Sequence, residues 1–315
     1  MPEVSNDYII RINRVLDYID KHICEQMTLD ELAGVANFSK FHFHRLFALF
    51  LGEPLNAYIM RSRMELSAAR LLSNRNASIS DIAFDVGFSS VSTFSRAFKK
   101  IMGMSPSEYR DSKIGQLKSN ICKQEGNICT QNDTETPYFC NTIFSTINGR
   151  AAMFNKNNIK FEIKNLPAID LAYVRYIGPY AGDEKLFAGL FGKIMGWAGP
   201  RQLLNFPETK AVCVYHNDPN VTEPEKLRVS VGVTVPADTK VDGEIGKMTL
   251  EAGKYAVGHF EISTDEFKNI WDNICGAIVA AGFEPADGPC FELYYNDAST
   301  HPEHKHILDI CIPVK

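Results

Sequence analysis

The chain has no run of about 18 apolar residues, so no helix of it is expected to span a membrane. Its first residues, MPEVSNDYIIRINR, lack the pattern of a secretory leader. Eight cysteines (Cys24, Cys122, Cys129, Cys140, Cys213, Cys275, Cys290 and Cys311) show no CxxC or other metal spacing. A chain of 315 residues also needs no disulfide framework, so free thiols and a cytoplasmic setting are expected. Basic residues are not in excess: 33 Lys and Arg stand against 38 Asp and Glu, a formal charge of −5. That balance excludes a protein that coats nucleic acid indiscriminately, but not a sequence-specific binder with a local basic face. No GxGxxG, Walker loop or nucleophile elbow occurs, and no cofactor is expected.

What is present is ordinary globular material, 45% hydrophobic and 23% charged, and about two domains long. Met1–Lys113 is nearly balanced, with 14 basic and 13 acidic residues, whereas Arg150–Lys315 holds 17 and 22. The stretch 113–157 is polar, with QEGNICTQNDTETP at its heart and no sustained periodicity. It reads as a linker between domains at 1–112 and 158–315, although Tyr138–Ile147 could pair as a strand.

The first third contains a repeat. TLDELA (Thr28–Ala33) matches SISDIA (Ser78–Ala83), and Asn37-Phe38-Ser39 matches Gly87-Phe88-Ser89 at the same offset. One residue later in register come Phe43/Phe94, Arg45/Arg96, Phe47/Phe98, Gly52/Gly103 and Tyr58/Tyr109. Each copy has the grammar of helix–turn–helix. Thr28 with Glu31, and Ser78 with Asp81, form capping-box patterns. Asn37 and Gly87 are residue types that end a helix in the left-handed region. Ser39, and Ser89 or Ser90, can cap a second helix whose phenylalanines recur at i, i+4. Leu55–Leu72 reads as one long helix, roughly 25 Å, which suits the separation of two recognition helices on B-DNA.

SDIAFDVGFSS-x-S-x-FSRAFKK-x-x-G-x-SPSEYR, with the upstream LAGVANFSKFHFHRLF, resembles the AraC/XylS transcription regulators over about residues 8–112. The resemblance implies that one monomer uses both recognition helices in adjacent major-groove segments. It implies base-facing roles for Phe41, His44 and Arg45. On that exposed face Lys40 and His42 stand beside them. Val91, Ser92, Ser95 and Arg96 match on the second helix, with Arg96 carrying most of the direct readout. Lys99, Lys100, Arg61 and Arg63 are expected at phosphates.

The second half alternates strand-like and helical stretches. Eight segments rich in Val, Ile, Tyr and Phe are bounded by Gly, Pro, Asn and Asp, and helices are expected near Asp183–Ala198 and Thr264–Ala281. LAYVRY at Leu171 aligns with YAVGHF at Tyr255, and VYHND at Val214 aligns with LYYND at Leu293. The expected fold is therefore α+β, two duplicated β-α-β-β units around a pseudo-two-fold cleft, following an all-α first domain.

NLPAIDLAYVRYIGPY, PEKLRVSVGV, FELYYND and DICIPV are similar to the GyrI-like effector-binding domain, over about 158–315. With the first domain this makes the Rob-like order. The resemblance implies a Glu in FE-x-Y that binds lipophilic cations, here Glu292. A carboxylate among aromatics is costly until a cation neutralises it, and Tyr or Trp faces add cation–π attraction. Tyr294 stands beside it, and Tyr173, Trp197, Tyr255, Phe260 and Trp271 are candidate walls. The alternative for Glu292 is a structural tie to an internal Arg or Tyr.

His301-x-x-His304-x-His306 invites a metal, but no fourth ligand stands at a supporting spacing. Some GyrI-like proteins resemble hydrolases, in which the Glu would act as a base. A fused DNA-binding domain argues for a regulator without turnover. The expectation is a transcription factor, an activator, with double-stranded DNA, a small lipophilic cation and RNA polymerase as partners. The rival is a second domain that captures protein.

Overall fold

The computed structural model describes residues 6–74, 76–111, 159–219 and 221–315. The linker expected at 113–157, the possible strand Tyr138–Ile147 and three of the cysteines lie outside the described residues. Of the described cysteines, Cys213 and Cys311 are buried and Cys24 is half-buried.

The first part includes the helices α1 (Asn6–Lys21), α2 (Leu29–Val35), α3 (Lys40–Leu51), α4 (Leu55–Ser73), α5 (Ile79–Asp85) and α6 (Val91–Met102). Their ends follow local chemistry. Thr28 and Ser78 each accept the backbone N–H three residues on, and Glu31 and Asp81 return the bond to the cap backbone. Asn37 and Gly87 turn the chain with φ of 52° and 84°. Gly52 and Gly103 end α3 and α6 in the left-handed region. Ser90 caps α6, whereas Ser39 stands at the N-cap of α3 without a side-chain bond. Helix α4 separates two cores: Phe43, Phe47 and Tyr58 pack with α1 and α2, while Phe94, Phe98 and Tyr109 pack with α5 and the far end of α4.

The second part is a single antiparallel sheet with strands β1 (Glu162–Leu166), β2 (Ile169–Ile177), β3 (Ala211–Tyr215), β4 (Arg228–Thr234), β5 (Gly246–Leu250), β6 (Gly253–Ile262), β7 (Cys290–Tyr294) and β8 (His306–Pro313). The strand order is β1-β6-β8-β7-β3-β4-β2-β5. Helices α7 (Glu184–Ala198) and α8 (Phe267–Ala280) lie on one face. Alternation along the strands decides what they cover. Ala172, Val174, Val229, Val231 and Val233 face α7, and Ala256, Leu308, Ile310 and Ile312 face α8. The odd-numbered residues Leu171, Tyr255, Val257 and Phe291 point to the other face and form a separate apolar cluster. Each fully buried aliphatic or aromatic side chain contributes about 2 kcal/mol.

A polar seam joins the two parts. From β2, Tyr173 donates its hydroxyl to Asp17 Oδ2 at 2.6 Å, and Arg175 Nη2 reaches Asp17 Oδ1 at 2.6 Å. Arg228 of β4 bonds both oxygens of Asp20. Around it, Ile177 packs on the α1–α4 core and Val221 on the α5–α6 core.

Candidate ligand pocket and nucleic-acid interface

Helices α3 and α6 each bury two phenylalanines and leave the opposite face open. On α3, Phe41 is 83% exposed, and His42, His44 and Arg45 are exposed with it. Lys40 is also exposed, with Nζ 2.7 Å from Asp30. On α6, Ser92, Arg96, Lys99 and Lys100 are exposed, while Val91 and Ser95 are half-buried. Arg96 Nε lies 3.4 Å from the Ser92 carbonyl on its own helix, and Arg96 has no carboxylate partner among the described residues.

Two expected phosphate contacts are corrected by the geometry. Arg61 is held inside by Glu53 and Glu65, each at 2.6 Å, with only 11% of its side chain exposed. Those carboxylates hold its pKa up against the pull of burial. Arg63 is also buried and donates to the carbonyls of Ile23 and Glu25, closing the turn after α1. Both arginines fasten α4 to its neighbours and present no free charge to a duplex.

In the second part, a cavity of about 980 Å³ lies between α7 and α8 over the centre of the sheet. Phe187 and Phe191 of α7 line one side, Phe267 and Trp271 of α8 the other, with Tyr215 and Tyr294 at the base. The adjacency of β3 and β7 places Cys213 opposite Glu292 in register. Glu292 is fully buried and sits beneath the cavity. Trp271 Nε1 donates to its Oε1 at 2.7 Å, and the hydroxyls of Tyr294 and Tyr215 donate to Oε2 at 2.7 and 2.9 Å. Burial raises its pKa above the ordinary 4.5, against the opposing pull of these three bonds.

The aromatic rings meet edge to face: Tyr215 with Trp271 at 5.7 Å and Phe191 with Tyr294 at 5.8 Å. No Lys or Arg is among the lining residues, whereas Asp183, Glu184 and Asp297 are. The site is therefore an aromatic chamber of negative potential whose deepest charge has hydrogen bonds but no cationic partner among the described residues.

Four expected walls lie elsewhere. Tyr173 points to the opposite face and belongs to the interdomain seam. Tyr255 shares that opposite face, packing on Phe291 at 5.4 Å and donating to the Glu251 carbonyl. Trp197 turns outward to bond Asp242 Oδ1 at 2.7 Å, with Arg201 stacked on its ring. Phe260 packs on the cluster under α8, outside the cavity. Of the expected walls, Trp271 lines the chamber, as does Tyr294, named beside Glu292. Tyr215 also lines the chamber, and the repeat aligning VYHND with LYYND pairs it with Tyr294. Like Tyr215, Phe187 and Phe191, on the helix expected near Asp183–Ala198, were not among the expected walls.

Of the three histidines, His306 lines the cavity, with its ring 5.3 Å from that of Phe267. Its pKa is lowered by desolvation. His301 accepts backbone N–H groups of its own loop at Nδ1. No group of three potential metal ligands occurs among the described residues, and no described helix is long and apolar enough to cross a membrane.

Residues 159–315 match the model of the GyrI-like small molecule binding domain, and residues 32–112 that of a helix-turn-helix domain. The chain is 35% identical over 131 residues to DNA gyrase inhibitor 2 of Dickeya dadantii (strain 3937), covering 40% of this chain and 79% of that protein. It is 36% identical over 104 residues to the HTH-type transcriptional activator AarP of Providencia stuartii, covering 33% and 76%. With "Probable transcriptional regulator LumQ" of Photobacterium leiognathi it shares 37% identity over 102 residues, 32% of this chain and 41% of that one. The chain thus spans about two fifths of LumQ's length.

Proposed function

This chain belongs to the AraC-type helix–turn–helix transcription regulators and carries a GyrI-like small molecule binding domain, and from that premise we propose that it is an activator whose effector is a lipophilic cation. One observation carries the effector's charge: Glu292 is buried beneath an aromatic chamber without a cationic partner among the described residues. A cation in the chamber supplies the missing counter-charge, and the tyrosine and tryptophan faces attract it further. The acidic lining disfavours anions.

The strand order supports a pseudo-two-fold axis between β3 and β7. On each side of it the chain runs strand, helix, strand, strand: β2-α7-β3-β4 and β6-α8-β7-β8. Tyr215 and Tyr294 are related by that axis and converge on one carboxylate. In the DNA-binding part, Arg45 and Arg96 read bases from two major-groove segments, the protein acting as a monomer on an asymmetric site of about two turns. Lys99 and Lys100 hold phosphates, and RNA polymerase is the downstream partner of an activator. The proposed domain limits are 1–112 and 158–315, within which the matched ranges are 32–112 and 159–315.

Calorimetric titration of tetraphenylphosphonium, an apolar anion and a neutral analogue into wild type and Glu292→Gln tests the effector. Cation-selective binding lost in the variant is the expected result. Binding that ignores charge or Glu292 removes the reading. The identity with a DNA gyrase inhibitor favours a second reading, protein capture by the GyrI-like half. Gyrase supercoiling assays with the full chain separate the two: inhibition without cation binding favours capture.

A further inference from the structure

Tyr215 ends β3 with its hydroxyl on Glu292, at the base of the cavity. Two residues on, Asn217 has left the cavity and entered the seam. Its Nδ2 donates to Glu65 Oε2 on α4 at 3.2 Å, and its Oδ1 accepts from both the backbone N and the Nε of Arg228 at 3.1 Å. Between them, His216 bonds the Ser230 hydroxyl at 2.8 Å, with burial, then Arg175 and Arg228, holding it neutral. Three consecutive residues thus touch the cavity, the sheet and the DNA-binding part in turn.

The receiving side is equally connected. Glu65 Oε1 accepts from Arg61, and Arg61 binds Glu53 in the turn between α3 and α4. Arg61 and Arg228 both lie over the ring of Tyr58, at 5.1 and 5.7 Å, and Tyr58 packs on Phe47 of α3. A path of hydrogen bonds and packed rings therefore runs from Glu292 to the first recognition helix.

A comparison within the sheet shows what is special about Asn217. Asn296 stands at the matching position after β7, and its Oδ1 accepts the N–H of Ile307 as Asn217 accepts that of Arg228. Both asparagines close the same turn. The Asn296 amide nitrogen, however, stays at home on the Lys305 carbonyl, while that of Asn217 crosses to Glu65. The turn needs the acceptor only, so the donor of Asn217 is available to couple the two parts.

We propose that Tyr215–Asn217 is the transmitter between effector and DNA, and that Asn217 positions α4, and with it the recognition helices, according to whether Tyr215 holds Glu292 or yields it to a ligand. The inference rests on the reading that the cavity binds a cation. A ligand that displaces the Tyr215 hydroxyl moves the end of β3, and only a segment shared by both sites lets that displacement alter affinity for DNA.

The test uses the full chain, tetraphenylphosphonium, and a duplex that the wild type selects from a random library. DNA affinity is measured by anisotropy with and without the cation, and cation affinity by calorimetry without DNA. In wild type the cation changes the DNA Kd about tenfold, within the usual span of allosteric coupling. Asn217→Asp keeps the acceptor for Arg228 but loses the donor to Glu65, and the ratio falls to within about twofold of unity while cation affinity holds. Adding Glu65→Gln restores the bond with donor and acceptor exchanged, and at least about threefold coupling returns. A merely structural asparagine would show no such rescue.

Full coupling in Asn217→Asp, or cation binding without any coupling in wild type, overturns the inference and leaves the pocket reading standing. Tyr215→Phe probes the link without ligand: it alters the DNA Kd in the wild-type background and not beside Asn217→Asp. If the cation fails to bind, the pocket reading falls, and the Tyr215→Phe pair alone decides the transmitter. No change in either background then overturns it.

Discussion

Arg228 presents its two terminal nitrogens to the two oxygens of Asp20, at 2.8 and 3.1 Å, across the boundary between sheet and helices. The arginine side chain is 4% exposed and the aspartate 32%. Burial works against the guanidinium's charge, but Asp20, together with Tyr58 and Glu65, more than offsets it, so Arg228 remains charged.

The two ends of this pair are unequal, and truncation should reveal it. Asp20→Leu strands a buried guanidinium and is expected to cost about 3 kcal/mol in urea unfolding. Arg228→Met strands a carboxylate that water can reach, and should cost roughly 1 kcal/mol. Equal losses would mean that the seam opens to solvent as readily from either side.

Local chemistry made much of this architecture legible. The capping boxes at Thr28 and Ser78, the left-handed Asn37 and Gly87 and all eight strands follow from short-range rules. Glu292 stands out through the FE-x-Y resemblance to the GyrI-like domain, since alternation alone lets a Glu between Phe291 and Leu293 face either way. The misplaced residues have different causes. Both sheet faces are apolar, so alternation alone does not say which face holds the helices, and Tyr173 and Tyr255 fell to the wrong one. Arg61 and Arg63 look like free cations in sequence, because their partners Glu53, Ile23 and Glu25 meet them only through folding. The seam was invisible for the same reason: Asp17 and Arg175 are 158 positions apart.

Arg61 and the Lys99–Lys100 pair should separate in salt titrations of DNA binding. Each phosphate contact contributes about 0.9 to the logarithmic salt slope, so replacing both lysines with Ala should reduce it by nearly 2. Arg61→Ala should leave the slope unchanged and lower stability instead, because it strands Glu53 and Glu65. A slope that falls with Arg61 would return that residue to the DNA face.

Arg96 is expected to discriminate bases. Arg96→Ala should cost roughly 1–3 kcal/mol on the selected duplex and much less on random DNA, measured by competition anisotropy. Arg45→Ala should behave alike at the other half of the site. A uniform loss on both DNAs would make either residue a backbone contact.

The two turns within the helix–turn–helix units should differ in tolerance. A Cβ on Gly87 would stand 2.5 Å from the Cys24 carbonyl oxygen, at a φ of +84°. Both the left-handed backbone and the clash oppose Gly87→Ala, for a loss of about 2 kcal/mol or more in urea unfolding. Asn37 already carries a side chain at φ 52°, so Asn37→Gly should change stability by only a few tenths of a kcal/mol. A mild Gly87→Ala would mean that the turn can move away from Cys24.

Glu292 should make both stability and cation affinity depend on pH, in opposite directions. Below the ordinary value of 4.5 the carboxyl is protonated, folded or unfolded. Between 4.5 and its raised folded value, the unfolded chain has released the proton while the folded chain keeps it. Stability therefore falls as pH rises through that window, and the loss is complete above the folded value. Glu292→Gln should remove that slope from urea unfolding measured against pH. A bound cation favours the ionised form, so affinity should rise across the same window, with close to one proton expelled per ligand. Calorimetry in buffers of different ionisation enthalpy counts that proton directly. A wild type that binds tetraphenylphosphonium there without releasing one would show that the carboxylate is already ionised, its three hydrogen bonds outweighing burial.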